Sequence, residues 1–211
     1  QGISVPRILA QGPGWLASEL VHPLPDTGRD YVDHALATAR LIRAATSAPP
    51  QAVSSWQGSR RNIAQRLVRA LVGGLPIGEF RRVRAEAAEL PTDVWVHGDY
   101  SCANVLRTPS GVSIIDWEFC GHGIWGTDEI RLWSTMGDPR DRERIMSGFL
   151  ADLPDRRRRD TGILIHWLAL RQLAENLAAP RRHQDPSNVR LGHTTLAEAR
   201  ALRERLTGSP G

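Results

Sequence analysis

The chain has no lysine. All 27 of its basic side chains are arginine, so no step of its chemistry can run through a lysine Schiff base, a lysine general base or a lysine ammonium set on a phosphate. GC-rich codon usage explains the bias without any functional cause. Cysteine is nearly as scarce: Cys102 and Cys120 are the only two, which excludes a disulfide scaffold and a cysteine-rich zinc site. Methionine is limited to Met136 and Met146, so the sequence opens at Gln1 without an initiator and is expected to be a processed product or a fragment. The longest apolar run, residues 163–170 interrupted by His166, is far below the roughly 20 residues that cross a bilayer. No N-terminal secretory pattern is visible. The expectation is a soluble, cytoplasmic chain with no membrane partner.

What is present is globular. The 211 residues are 41% hydrophobic and 24% charged, enough to bury a core and too apolar for a disordered chain. The net charge of +4 equals the contribution of Arg156, Arg157, Arg158 and Arg159 alone. The remaining surface is balanced, so no basic stripe for a phosphate backbone is expected and nucleic acid is not a partner. The seven histidines form no H-E-x-x-H or comparable metal cluster.

Along the chain, residues 3–21 read as two extended segments around Gln11-Gly12-Pro13-Gly14. Asp30 is placed as the N-cap of a helix over 30–47, on the spacing of Val32, Leu36, Ala39 and Ile42. Further helices are expected over 60–72 and 80–90. Residues 94–96 form a strand, and residues 104–107 and 112–115 form a hairpin around Thr108-Pro109-Ser110-Gly111. After Asp116 the pattern is mostly helical, with Thr127 as a cap, Asp138-Pro139 as a cap-proline start and Thr195-x-x-Glu198 as the capping box of the last helix.

The chemistry gathers in His97-Gly98-Asp99-Tyr100-Ser101-Cys102-Ala103-Asn104 and in Ile114-Ile115-Asp116-Trp117-Glu118. A strand delivers Asp99 into a tight polar turn, and the hairpin brings Asn104 and Asp116 to neighbouring strand ends. An amide oxygen and a carboxylate suit a hard cation such as Mg²⁺, and Asp99 beside them can accept a hydrogen bond from an attacking hydroxyl. An aspartate in a glycine-containing turn is ordinarily just a turn residue; the combined spacing of three such groups argues otherwise. His97 reads better as a hydrogen-bonded support than as a proton shuttle.

The pattern H-x-D-x-x-x-x-N with a second aspartate downstream resembles the kinase catalytic loop and its metal-binding aspartate. His-Gly-Asp with Ile-Asp-Trp-Glu is similar to the aminoglycoside phosphotransferase and choline kinase-like family. Gly126-Thr127-Asp128-Glu129-Ile130, Val5-Pro6-Arg7-Ile8-Leu9 and Trp15-Leu16-Ala17-Ser18-Glu19-Leu20 extend the resemblance. It implies an α+β, protein-kinase-like fold: a mainly helical large lobe over 23–211 carrying a catalytic β-hairpin, with the last strands of the small lobe and the hinge over 1–22. It further implies ATP (or GTP) and Mg²⁺ as cofactors and a small-molecule hydroxyl as acceptor, as in antibiotic or choline-like kinases. Asp99 would orient and deprotonate the acceptor, and Asn104 and Asp116 would hold Mg²⁺. Ser18 and Leu20 would face the adenine through their backbone, and Leu106 would floor it. His97 and Asp128 would be supports. Apart from the resemblance, Glu118 reads equally as a solvent-facing residue or a contact for a cationic substrate, and Glu129 is a further candidate substrate contact.

The family's phosphate-covering loop and strand lysine have no counterpart, and a gap of roughly 50 residues separates this chain from a full small lobe. A large lobe without most of its ATP lobe is expected, inactive in isolation. The alternative is a kinase-like binding module without chemistry. A metal-dependent hydrolase using His97, Asp99 and Asp116 leaves Asn104 and the hinge-like segment unexplained.

Overall fold

Helix α6 (Arg158–Ala178) buries Ile163, Leu164, Ile165, Leu168, Ala169, Leu170, Leu173 and Leu177 on nearly all sides. A helix apolar all round holds its place only when enclosed. It is enclosed by α2 (Arg60–Val72), α3 (Ile77–Ala88), α4 (Thr127–Thr135) and α7 (Pro186–Thr207). Helices α1 (Arg29–Arg43) and α5 (Pro139–Ala151) pack on each other and on α4. The structure is a computed structural model that describes residues 3–12, 15–19, 28–45, 60–109, 111–179 and 185–208.

Strands are short and pair antiparallel in three two-stranded sheets. β1 (Ile8–Gly12) pairs with β2 (Trp15–Ser18). β3 (Val94–Val96) pairs with β6 (Gly121–Gly123), and β4 (Val105–Thr108) with β5 (Gly111–Ile114). A lone hairpin is marginal in water and needs a packing surface. Helix α1 supplies it with the stripe Tyr31, Val32, Ala35, Leu36, Ala39 and Ile42. Two buried phenols fasten this contact: Tyr31 donates to the Val105 carbonyl at 3.0 Å, and Tyr100 to the Ala35 carbonyl at 2.8 Å.

Several expected boundaries move. Gly28, not Asp30, caps α1, with φ 99° and no side-chain cap, and Asp30 sits in the first turn, where its charge meets the helix dipole. That helix ends at Arg43; residues 46–50 lie outside the described residues. α3 opens at Ile77, a turn before Phe80. Gly126 caps α4, while the Thr127 hydroxyl donates to the Ile124 carbonyl at 2.8 Å. Asp138 does cap α5, accepting from Arg140 and Asp141 amides at 2.8 and 3.0 Å. The capping box at Thr195 is not used. α7 begins at Pro186, capped by Asp185, because an aspartate-proline start lies upstream. Thr195 is thereby buried mid-helix, and Glu198 pairs with Arg142 at 2.6 Å. β6 falls where helix was expected, since its pairing with β3 is non-local.

Candidate active site

β3 leads into the 97–104 turn, and its pairing of Val96 with Gly121 folds the segment after Asp116 back beside that turn. The turn is wound by its own backbone. Ser101 N–H donates to the Asp99 carbonyl at 2.8 Å, and the N–H groups of Asn104 and Val105 donate to Ser101 at 2.9 and 3.0 Å. Gly98 has φ +83°, and a Cβ there would stand 2.4 Å from the Phe119 carbonyl oxygen, so only glycine lets the two segments approach.

One face of α4 holds this turn. Asp128 accepts the His97 and Gly98 N–H groups at 2.8 and 3.1 Å, Arg131 meets the Asp99 carboxylate, and the Thr135 hydroxyl accepts from Cys102 N–H at 3.1 Å. Residues at i, i+3 and i+7 share a helix face, so the spacing explains the alignment. Asp128 is 3 % exposed, and burial pushes its carboxyl up to about 7.

Asp99 is engaged at both oxygens. Oδ1 receives Arg131 Nε at 3.2 Å and lies 3.1 Å from an Arg131 terminal nitrogen, while Oδ2 receives Asn104 Nδ2 at 3.1 Å. Asn104 Nδ2 also donates to the Asp99 carbonyl at 2.9 Å. The amide is therefore oriented with both donor contacts toward Asp99, and its Oδ1 has no hydrogen bond among the described residues. The Ile115 N–H donates to the Asn104 carbonyl at 3.0 Å, which joins the turn to the chain just before Asp116. Asp116 is exposed, with no ion pair or hydrogen bond on its carboxylate among the described residues. Its backbone is left-handed (φ 62°, ψ 61°), and it is the single non-glycine residue with positive φ among those described. Such a conformation is sterically disfavoured and collects at functional sites. An amide oxygen and an unpaired carboxylate are oxygen-only donors that fit a hard divalent cation completed by water and phosphate oxygens. Among the described residues, no cluster of three or more His, Cys, Asp or Glu could hold a metal ion.

His97 is enclosed. Its Nε2 is 3.0 Å from the Ile115 carbonyl, which makes that nitrogen the donor, and the ring packs edge-on against Trp117 and Tyr100. Burial pushes its pKa down, favouring a neutral support between the two loop segments. Glu118 is exposed on the 3₁₀ turn Trp117–Phe119. Glu129, the other candidate substrate contact, is 4 % exposed and paired with Arg43. Leu106 is half-buried on β4, opposite Ser113. Ser18 ends β2 opposite Ile8, and Leu20 lies outside the described residues.

Sequence reasoning missed Arg131, Gln172 and Glu175. Arg131 follows Asp128 by three residues, which places both on one face, so its reach toward the turn was readable. Its α6 partners depend on packing: Glu175 at 3.1 Å and Gln172.

Solved structures that share this fold include the following three. A choline/ethanolamine kinase family protein from Mesorhizobium loti is 17% identical, with TM-score 0.55, 98% of this chain and 75% of that one covered. A choline kinase from Cryptosporidium parvum Iowa II is 12% identical, with TM-score 0.58 over 96% and 74%. An amicoumacin kinase solved in complex with AMP-PNP, Ca²⁺ and Ami is 14% identical, with TM-score 0.59 over 98% and 73%. These likenesses show an α+β kinase-like fold, here mostly helices with small sheets. No curated protein sequence matches the chain. The phosphotransferase enzyme family, however, matches residues 1–161, the span that holds β1 through α5 and the whole Asp99–Asn104–Asp116 cluster, and the chain belongs to that family.

Proposed function

We propose that the protein transfers the terminal phosphoryl group of ATP, or GTP, to a hydroxyl of a small molecule in the cytoplasm. The observation that supports this reading is an Asp99 carboxylate held by Arg131 and Asn104, with the Asn104 carbonyl bonded to Ile115, the residue just before the left-handed Asp116. Asp99 accepts the acceptor's hydroxyl proton through the lone pair of Oδ2 that Asn104 leaves open. The acceptor oxygen bonds to the terminal phosphorus as the bond to the bridging oxygen breaks, and the nucleoside diphosphate leaves. Asn104 Oδ1 and the Asp116 carboxylate would hold Mg²⁺, which when bound neutralises phosphate charge. Residues 1–22 would end the nucleotide lobe and form the hinge, with Ser18 and Leu20 meeting the base by their backbone and Leu106 beneath it. Glu118 is the carboxylate open to a cationic acceptor. Phosphoryl transfer needs mainly positioning and charge stabilisation, which these few groups supply.

The test is ADP release from Mg-ATP over a panel of amino sugars, quaternary amino alcohols and neutral alcohols. Asp99→Asn and Asp116→Ala are expected to lower turnover by about three orders of magnitude or more while far-UV spectra stay unchanged. Full turnover in Asp99→Asn rejects the assignment. A second reading is a kinase-like binding module: Mg-ATP or an alcohol would then bind by calorimetry with no ADP released under any acceptor.

A further inference from the structure

The Arg131 guanidinium spans two carboxylates. Nε donates to Asp99 Oδ1 at 3.2 Å, a terminal nitrogen lies 3.1 Å from both Asp99 Oδ1 and Glu175 Oε2, and the other terminal nitrogen donates to Gln172 Oε1. The supporting groups are themselves tied: Arg171 Nε donates to Glu175 at 2.9 Å, and Gln172 donates to Asn176 at 2.9 Å. The Arg131 side chain is 10 % exposed. Burial works against its charge, yet Glu175 and Asp99 outweigh that and keep it a firm cation. A planar fork locked on several faces cannot turn without breaking all of its contacts.

The consequence for Asp99 follows by counting lone pairs. Each carboxylate oxygen has two. Two Arg131 nitrogens crowd onto Oδ1, and Asn104 takes one position on Oδ2, which leaves one open position, on Oδ2. Without Arg131 the carboxylate is held on one side only and can rotate about χ2.

We propose that Arg131 is a positioning residue for phosphoryl transfer: anchored to α6 through Glu175 and Gln172, it occupies Oδ1 of Asp99 so that Oδ2 alone faces the acceptor hydroxyl. This rests on the phosphotransferase reading above. Arg131 touches no reacting atom; it acts through Asp99.

The test compares wild type with Arg131→Lys, which keeps the charge but not the fork, and Arg131→Met, in single-mutant and Asp99→Asn backgrounds. Mg-ATP turnover with water as acceptor, followed by ADP release, is the probe. Arg131→Lys is expected to lower kcat about 10- to 100-fold, the scale of a misplaced reacting group, with KM for ATP within about twofold. In the Asp99→Asn background the same replacement should change nothing further, because its effect passes through that carboxylate. An equal loss in both backgrounds, or a loss carried by KM, overturns the proposal. A crystal structure of either variant gives a readout independent of turnover. The Asp99 carboxylate should leave its present orientation while Asp128 keeps its bonds to His97 and Gly98; an unmoved carboxylate overturns the proposal. Wild type that releases no ADP with any acceptor defeats the phosphotransferase reading, and the crystal comparison still decides whether Arg131 orients Asp99. If Arg131→Met does not fold, Arg131→Lys carries both readouts.

Discussion

Gly98 and Asp116 carry unusual backbone angles, and they do so for different reasons. Gly98 is forced by contact: at φ +83° any Cβ would meet Phe119 backbone at 2.4 Å. Gly98→Ala is therefore expected to cost about 2–4 kcal/mol, the sum of left-handed strain and displacement of a neighbouring backbone, read as a lowered midpoint in urea unfolding. Asp116 holds its left-handed angles at an exposed position. It tops the Ile115 backbone that bonds Asn104, and a left-handed residue there re-aims the carboxylate away from the strand direction. Asp is among the side chains that tolerate this region best. Both positions were visible as a glycine and an aspartate in the sequence, but neither angle was, because each follows from what the other segment does.

At the scale of elements, α4 works as a splint along the 97–104 turn. Its residues 128, 131 and 135 take His97 and Gly98, Asp99 and Cys102 in order. Each contact fixes a different stretch of the turn, so their losses should differ in kind. Thr135→Val removes the acceptor for the Cys102 N–H, and is expected to cost about 1–2 kcal/mol, the scale for leaving a half-buried donor unpaired, with a smaller effect on turnover than Arg131→Lys. Thermal unfolding and ADP release measured side by side check the ordering. The hairpin β4–β5 has a matching support on its other side in α1, through Tyr31 and Tyr100. Strand, turn and hairpin were legible from β-branched residues and the Thr-Pro-Ser-Gly turn. The splint was half-legible: Asp128 came with the family resemblance, whereas Arg131 and Thr135 needed only the helical spacing that follows from it.

At the scale of the whole molecule, a second polar cluster ties α3, α6 and α7 together. Glu79 of α3 meets His166 of α6 at 2.6 Å and Arg200 of α7 at 2.8 Å, and Arg203 of α7 lies 3.3 Å from His166 and bonds Glu86 of α3. Arg200 holds the Glu79 carboxyl down from 4.5 to about 2 against the opposing pull of burial, with His166 adding to it. A depressed folded pKa stabilises the fold above the unfolded value and loses that contribution as pH falls. The stability difference between wild type and Glu79→Gln is thus expected to be about 1–2 kcal/mol at neutral pH after solvent screening, shrinking as pH drops from 4.5 toward 2. Urea titrations across that range check it; a difference that does not vary with pH refutes the pairing. Burial lowers His166 from 6.5, so its contribution also weakens with acid, below 6.5. Asp128, raised from 3.8 to about 7, runs the other way and loses stability as pH rises through that interval.

The sequence by itself determined which oxygen-bearing side chains stand at which spacing around one turn and one hairpin, and that the chain after Asp116 is mostly helical. Local signals carry such information because turns, caps and periodicity depend on neighbours in the chain. Only the tertiary structure decided that Asp185 rather than Thr195 starts the last helix, that β6 exists, that Glu129 is paired with Arg43, and that Arg131 reaches Asp99 from α4 while leaning on α6. Each of these depends on which distant segment supplies a hydrogen-bond partner or covers a charge, and burial settles that by where the apolar faces meet.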